Sequence, residues 1–119
     1  MNKTRLMAQG HEYMASGGHP LATQTSISIL EAGGNAVDAA VAGAMVLGVV
    51  QSDLVNFAGV APIMIRFPKT KKVITVSGVG RWPMAANIDR FINEFDRHVP
   101  DGILRAIIPA APDAFLTAL

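Results

Sequence analysis

Three features predict a mixed α/β (α+β) fold. They are a pair of helices joined by two glycines between His19 and Val50, a short β-hairpin between Ile63 and Ser77, and an amphipathic helix that opens at Asn87. The helix pair is the most heavily signalled part of the chain. Pro20 suits a first helical position, where its missing N–H costs nothing, and His19 stands just ahead of it at the helix start. Gly33 and Gly34 stop that helix, because glycine enters a left-handed cap without strain. Asn35 then reads as an N-cap with Asp38 three residues on, a short-armed version of the capping box. The second helix, Ala36 to Val50, is apolar on every side after Asp38, which predicts burial all round. Its small residues Ala39, Ala40, Ala42, Gly43 and Ala44 keep it thin enough for close packing.

Beyond Val50 the stretch Gln51 to Pro62 reads as a loop leading to a strand at Ile63 to Phe67. Pro68, Lys69, Thr70 and Lys71 make the turn, and Lys72 to Ser77 returns as the second strand. Ile63, Met64, Ile65, Val73, Ile74 and Val76 leave little polar surface, so both faces of this hairpin are expected to be covered. Gly78, Val79 and Gly80 break the strand. Asn87 caps a helix in which Ile88, Phe91, Ile92 and Phe95 recur at i, i+3, i+4 and i+7, with Asp89, Arg90, Asn93, Glu94 and Arg97 on its solvated side. Pro100, Asp101 and Gly102 form a turn, and Ile103 to Ile108 reads as extended. Ala111, Pro112 and Asp113 open a last helix whose apolar stripe is Phe115, Leu116 and Leu119, without a cap.

Composition removes several function classes. At 119 residues the chain is at most one domain's worth, and it is 50% hydrophobic but only 16% charged. A net charge of +1 gives no reason to expect nucleic acid or an anionic membrane surface as a partner. Lys69, Lys71 and Lys72 form the one basic cluster, and it reads as a turn. With no cysteine there is neither a disulfide framework nor thiol chemistry. The apolar run Ala39 to Val50 covers 12 residues, short of the roughly 20 needed to cross a bilayer. The first residues, MNKTRLMAQGHEY, lack the apolar core of a secretory signal, so a cytoplasmic location is expected.

The segments HPLAT, EAGGNAVDAAVA and LGVV, in that order between His19 and Val50, resemble the N-terminal signature of the γ-glutamyltransferase (γ-glutamyltranspeptidase) family. The resemblance runs more loosely from Glu12 to Leu119. It implies an N-terminal-nucleophile hydrolase made as one self-cleaving precursor, with a four-layer αββα sandwich of which residues 1–119 are the N-terminal, incomplete portion. It also implies that a threonine at the start of the small subunit is the nucleophile and that its own α-amine is the base. That division of labour is chemically sound, since a hydroxyl is a weak nucleophile until a base takes its proton. The threonine is expected beyond Leu119. No cofactor is implied; the partners implied are a small amide or γ-glutamyl compound such as glutathione, and the chain's own C-terminal small subunit.

Two departures from the family pattern bear on substrate. Where relatives carry E-P-x-x-x-G-[IL]-G-G-G-G-F, residues 51–62 keep only Gly59 of the glycine run. Where they carry D-G-R-E-x-A-P, with the arginine on the glutamyl α-carboxylate, this chain reads Ser77-Gly78-Val79-Gly80-Arg81-Trp82-Pro83. Val79 therefore stands at the arginine position, and valine has no N–H fork for a carboxylate. Arg81, two residues on, is the one substrate-binding candidate; Trp82 reads as a core or interface anchor. His11, His19 and His98 have no spacing that gathers metal ligands on one element. Ser16, Ser26, Ser28, Ser52 and Ser77 lie outside any nucleophile-elbow context. Asp38 is explained by capping. No catalytic residue and no metal site is expected in this chain.

The reading is acyl transfer from an amide to water or an amine. A relative acting on a small amide without the α-carboxylate is favoured by Val79, and a non-catalytic member or fragment serving as a structural or binding module is the alternative of a different class.

Overall fold

The computed structural model describes residues 7–119. Residues 1–6, part of the N-terminal stretch in which no secretory-signal core was expected, lie outside the described residues. Contacts gather the chain into two compact units, ending and beginning at Val55 and Asn56.

The first unit is the helix pair. Helix α1 spans Pro20–Glu31 and helix α2 spans Ala36–Val50. Pro20 sits in the first turn, and Nδ1 of His19 accepts the backbone N–H of Leu21 at 3.2 Å, satisfying one of the donors a helix start leaves open. At the other end the N–H of Gly33 donates to Leu30 and that of Gly34 to Ile29, the paired bonds of a Schellman cap. The two glycines are required for different reasons. Gly33 has φ +91 in open space, whereas a β-carbon on Gly34 would stand 2.6 Å from Cγ2 of Ile29 and 2.9 Å from its carbonyl oxygen. The capping box of α2 is complete: Oδ1 of Asn35 accepts from Val37 and Asp38, and the Asp38 carboxylate accepts the N–H of Asn35 at 2.8 Å.

Small residues bring α1 and α2 together. Ala22, Ser26, Ala39, Val41 and Gly43 are buried, and the Ser26 hydroxyl donates to the carbonyl of Ala39 across the helices at 2.8 Å. The expectation that α2 is buried all round is corrected here. Its face toward α1 is covered, but Val49 is 76% exposed and Met45 is also exposed. Among the described residues of this unit α1 is the one helix packed on α2, and a single neighbour shields a single face.

The second unit begins with the hairpin. Strands β1 (Ile63–Arg66) and β2 (Val73–Val76) pair antiparallel with Ile63 opposite Val76 and Arg66 opposite Val73. Both are a little shorter than read from sequence, because Phe67 and Lys72 already belong to the turn and Lys71 there takes φ +56. Coverage of both faces is a second correction. Met64, Val73 and Ile74 are exposed, since the short helix α4 (Ala111–Ala118), which lies against β2, has too little length to cover the hairpin.

Helix α3 spans Ile88–Glu94 with Asn87 capping the N–H of Asp89. Phe91 alone of its apolar series is buried; Ile88 and Ile92 are exposed. The helix stops before Phe95 because Asp96 and Arg97 take left-handed backbone. Ile103–Arg105 is a 3₁₀ turn rather than the extended stretch expected. Gly102 at φ +100 turns the chain into it, and the Arg105 guanidinium holds it through Asp101 at 2.7 Å and the Val99 carbonyl. In α4 the buried stripe is Ala111, Ala114 and Phe115, with Leu116 and Leu119 outside it, contrary to the sequence reading. Phe115 meets Phe57 edge-on, with ring centroids 6.2 Å apart, and this contact sets which side of the helix faces inward.

Candidate functional site

The segment Gly78–Trp82 leaves β2 and passes between two backbone neighbours. On one side the N–H of Ala61 donates to the Gly78 carbonyl at 2.9 Å. Gly78 has φ +54, and a β-carbon there would land on the Ala61 carbonyl. On the other side the N–H of Ile108 donates to the Arg81 carbonyl at 2.9 Å, and a β-carbon on Gly80 would land on the Ile108 carbonyl. The two neighbours are themselves joined. The Gly59 carbonyl accepts the N–H groups of Ala110 and Ala111 at 3.3 Å, filling the place of the side-chain cap that α4 lacks at its N-terminus. Gly59, Gly78 and Gly80 thus lie on one closed circuit of backbone contacts around Val79 and Arg81.

Val79 is 55% exposed on this segment, and Arg81 is exposed as well. Arg90 bonds Glu94 and Arg105 bonds Asp101, whereas the Arg81 guanidinium enters no ion pair or hydrogen bond among the described residues. It is chemically available to an anion. Trp82 stacks obliquely on Phe91 with centroids 5.0 Å apart but is 44% exposed, so it is not a core residue among the described residues, contrary to the core half of the sequence reading. Together with Pro83, Ala86, Leu104 and Ala106 the two rings line a shallow apolar hollow.

The other residues weighed from sequence have local roles. His19 caps α1, Nδ1 of His98 lies 2.7 Å from the Asp96 carbonyl oxygen, and His11 is exposed. Ser26 holds the helix pair together. No group of three or more potential metal ligands converges among the described residues, and no helix among them is long and apolar enough to cross a membrane. The contribution of Ile108 was missed from sequence. Its only advance signal was that Gly80 follows so closely on Gly78, which marks a backbone approached by another chain segment.

The mixed α+β arrangement of helix pair, hairpin and further short helices is shared with solved gamma-glutamyltranspeptidases. The gamma-glutamyltranspeptidase family model matches residues 22–119, and the chain belongs to that family. It is 33% identical over 91 residues to a protein of Bacillus subtilis named glutathione hydrolase proenzyme, an alignment covering 76% of this chain and 16% of that protein. The chain thus spans about a sixth of the length of the curated relatives it matches. The crystal structure of Helicobacter pylori gamma-glutamyltranspeptidase superposes with a TM-score of 0.82 at 28% identity, covering 94% of this chain and 33% of that one. Gamma-glutamyltranspeptidase from Pseudomonas nitroreducens shares the fold, with a TM-score of 0.76 at 24% identity over 89% of this chain and 32% of its own.

Proposed function

We propose that this chain forms the N-terminal part of the large subunit of an N-terminal-nucleophile acyl transferase. On this reading residues 1–119 belong to a four-layer αββα domain, and the enzyme transfers the acyl group of a γ-glutamyl compound or related small amide to water or an amine. The observation that carries the reading is the family match, which spans Ala22 to Leu119 and takes in most of the helix pair and the Gly78–Trp82 segment. The nucleophilic threonine, its α-amine base and the small subunit are contributed from outside these residues. The hydroxyl oxygen forms an ester with the acyl carbon, the amide C–N bond breaks, and the proton leaves with the amine through the α-amine. Water or an acceptor amine then opens the ester.

Within this chain the part assigned to substrate is Arg81. A γ-glutamyl donor carries an α-carboxylate, and a guanidinium offers it paired N–H donors. Arg81 has the free donors that Val79 lacks. The test is release of aniline by the full-length protein from γ-glutamyl anilide and from γ-aminobutyryl anilide, which lacks only the α-carboxylate, with and without an added acceptor amine. Release that accelerates with the acceptor is expected. Absence of release from both anilides would overturn the proposal.

A further inference from the structure

We propose that Gly80 and the backbone N–H of Ile108 are positioning residues for Arg81, acting on substrate only through it; this rests on the reading of Arg81 as the group that holds the carboxylate. A guanidinium on a free loop can reach an anion from many directions, but it discriminates only when its Cα is fixed, because a bidentate bond tolerates little displacement. Here the fixing is visible. The Arg81 carbonyl accepts the Ile108 N–H at 2.9 Å, so the backbone on one side of the Arg81 Cα is tied to the stretch that leads into α4. Immediately before it, Gly80 is pressed so closely to the Ile108 carbonyl that no β-carbon fits, and a side chain there would also meet Cδ1 of Ile107 at 3.1 Å.

The obstructing atom is backbone. It cannot swing away like the end of a flexible side chain, so a methyl at position 80 has to push the two segments apart. The Ile107–Ile108 stretch cannot simply yield, because Ala110 and Ala111 are held on the Gly59 carbonyl two residues further on. Displacement therefore falls on Arg81. Misplacing a recognition group by about 1 Å can cost up to about a hundredfold in rate, and the loss is confined to substrates that use the group.

The experiment is a double-mutant cycle in the full-length protein with Gly80→Ala and Arg81→Ala, read on γ-glutamyl anilide and on γ-aminobutyryl anilide. Gly80→Ala is expected to raise KM for the glutamyl substrate about tenfold, with kcat little changed and the carboxylate-free substrate unaffected. Added to Arg81→Ala it should change nothing further. An equal loss on both substrates, or an effect of Gly80→Ala that persists in the Arg81→Ala background, would overturn the positioning role while leaving the reading of Arg81 intact. If Arg81→Ala itself leaves the ratio of the two substrates unchanged, that reading fails and the positioning role with it. Should Gly80→Ala not accumulate as folded protein, an amide-to-ester replacement at Ile108 removes the donor alone. It should reproduce the same substrate-selective rise in KM, and unchanged KM would overturn the proposal.

Discussion

Gly43→Val is expected to destabilise the helix pair by about 2–4 kcal/mol. Gly43 lies at the closest approach of α2 to α1. A β-carbon there would collide with the Ser26 hydroxyl and stand 3.3 Å from the Ala22 carbonyl oxygen. Forcing extra methyl groups into such a contact costs roughly 1–3 kcal/mol. The displaced Ser26 also loses its 2.8 Å bond to the Ala39 carbonyl, worth about 1 kcal/mol. Urea unfolding of the full-length protein should show the midpoint lowered, together with reduced soluble yield. The pattern of non-additivity is diagnostic. Gly43→Ala should be milder in a Ser26→Ala background than on its own, because the atom it strikes has been removed. Equal cost in both backgrounds would show that the Ser26 hydroxyl is not what limits the approach.

Arg81→Ala carries the second large effect, and it falls on specificity rather than stability. Arg81 is exposed and bonded to nothing among the described residues, so its removal leaves no buried partner stranded. If Arg81 holds the carboxylate as proposed, the charge-assisted fork to a γ-glutamyl donor is worth roughly 1.5–3 kcal/mol. That corresponds to a loss of about ten- to a hundredfold in kcat/KM. The carboxylate-free anilide should be turned over as before. Arg81→Lys should recover only part of the loss, since an ammonium keeps the charge but not the planar pair of donors. Efficient glutamyl turnover surviving Arg81→Ala would mean that a group outside this chain holds the carboxylate, and that Val79 has no substitute here.

The helix pair was legible because its signals are local. Pro20 fits the first turn by its ring alone; the glycines at 33 and 34, Asn35 and Asp38 act on backbone groups within five residues, and the bonds of those four are present. Burial was less legible. Apolarity around α2 and on both sides of the hairpin says that surface needs covering, but not that residues 7–119 do the covering. The misread stretch at Ile103 has a different cause. A β-branched and leucine run suggests a strand, yet Gly102 and the Arg105 contacts to Asp101 and Val99 bend its first turn before pairing begins at Ile108. At the candidate site, aligning on Pro83 nominates Val79 and Arg81 as the residues to test. The bond that ties Arg81 to Ile108 joins residues 27 positions apart, and no local pattern announces a pairing of that range.

Intact-mass analysis of the full-length gene product decides whether these residues belong to the large subunit of a self-cleaving acyl transferase. Two fragments from one gene are expected, the larger containing residues 1–119 and the smaller beginning with threonine, whose mass rises by one acyl group during turnover of an anilide. A single uncut chain that never acquires the acyl mass would contradict it and would favour a non-catalytic member of the family.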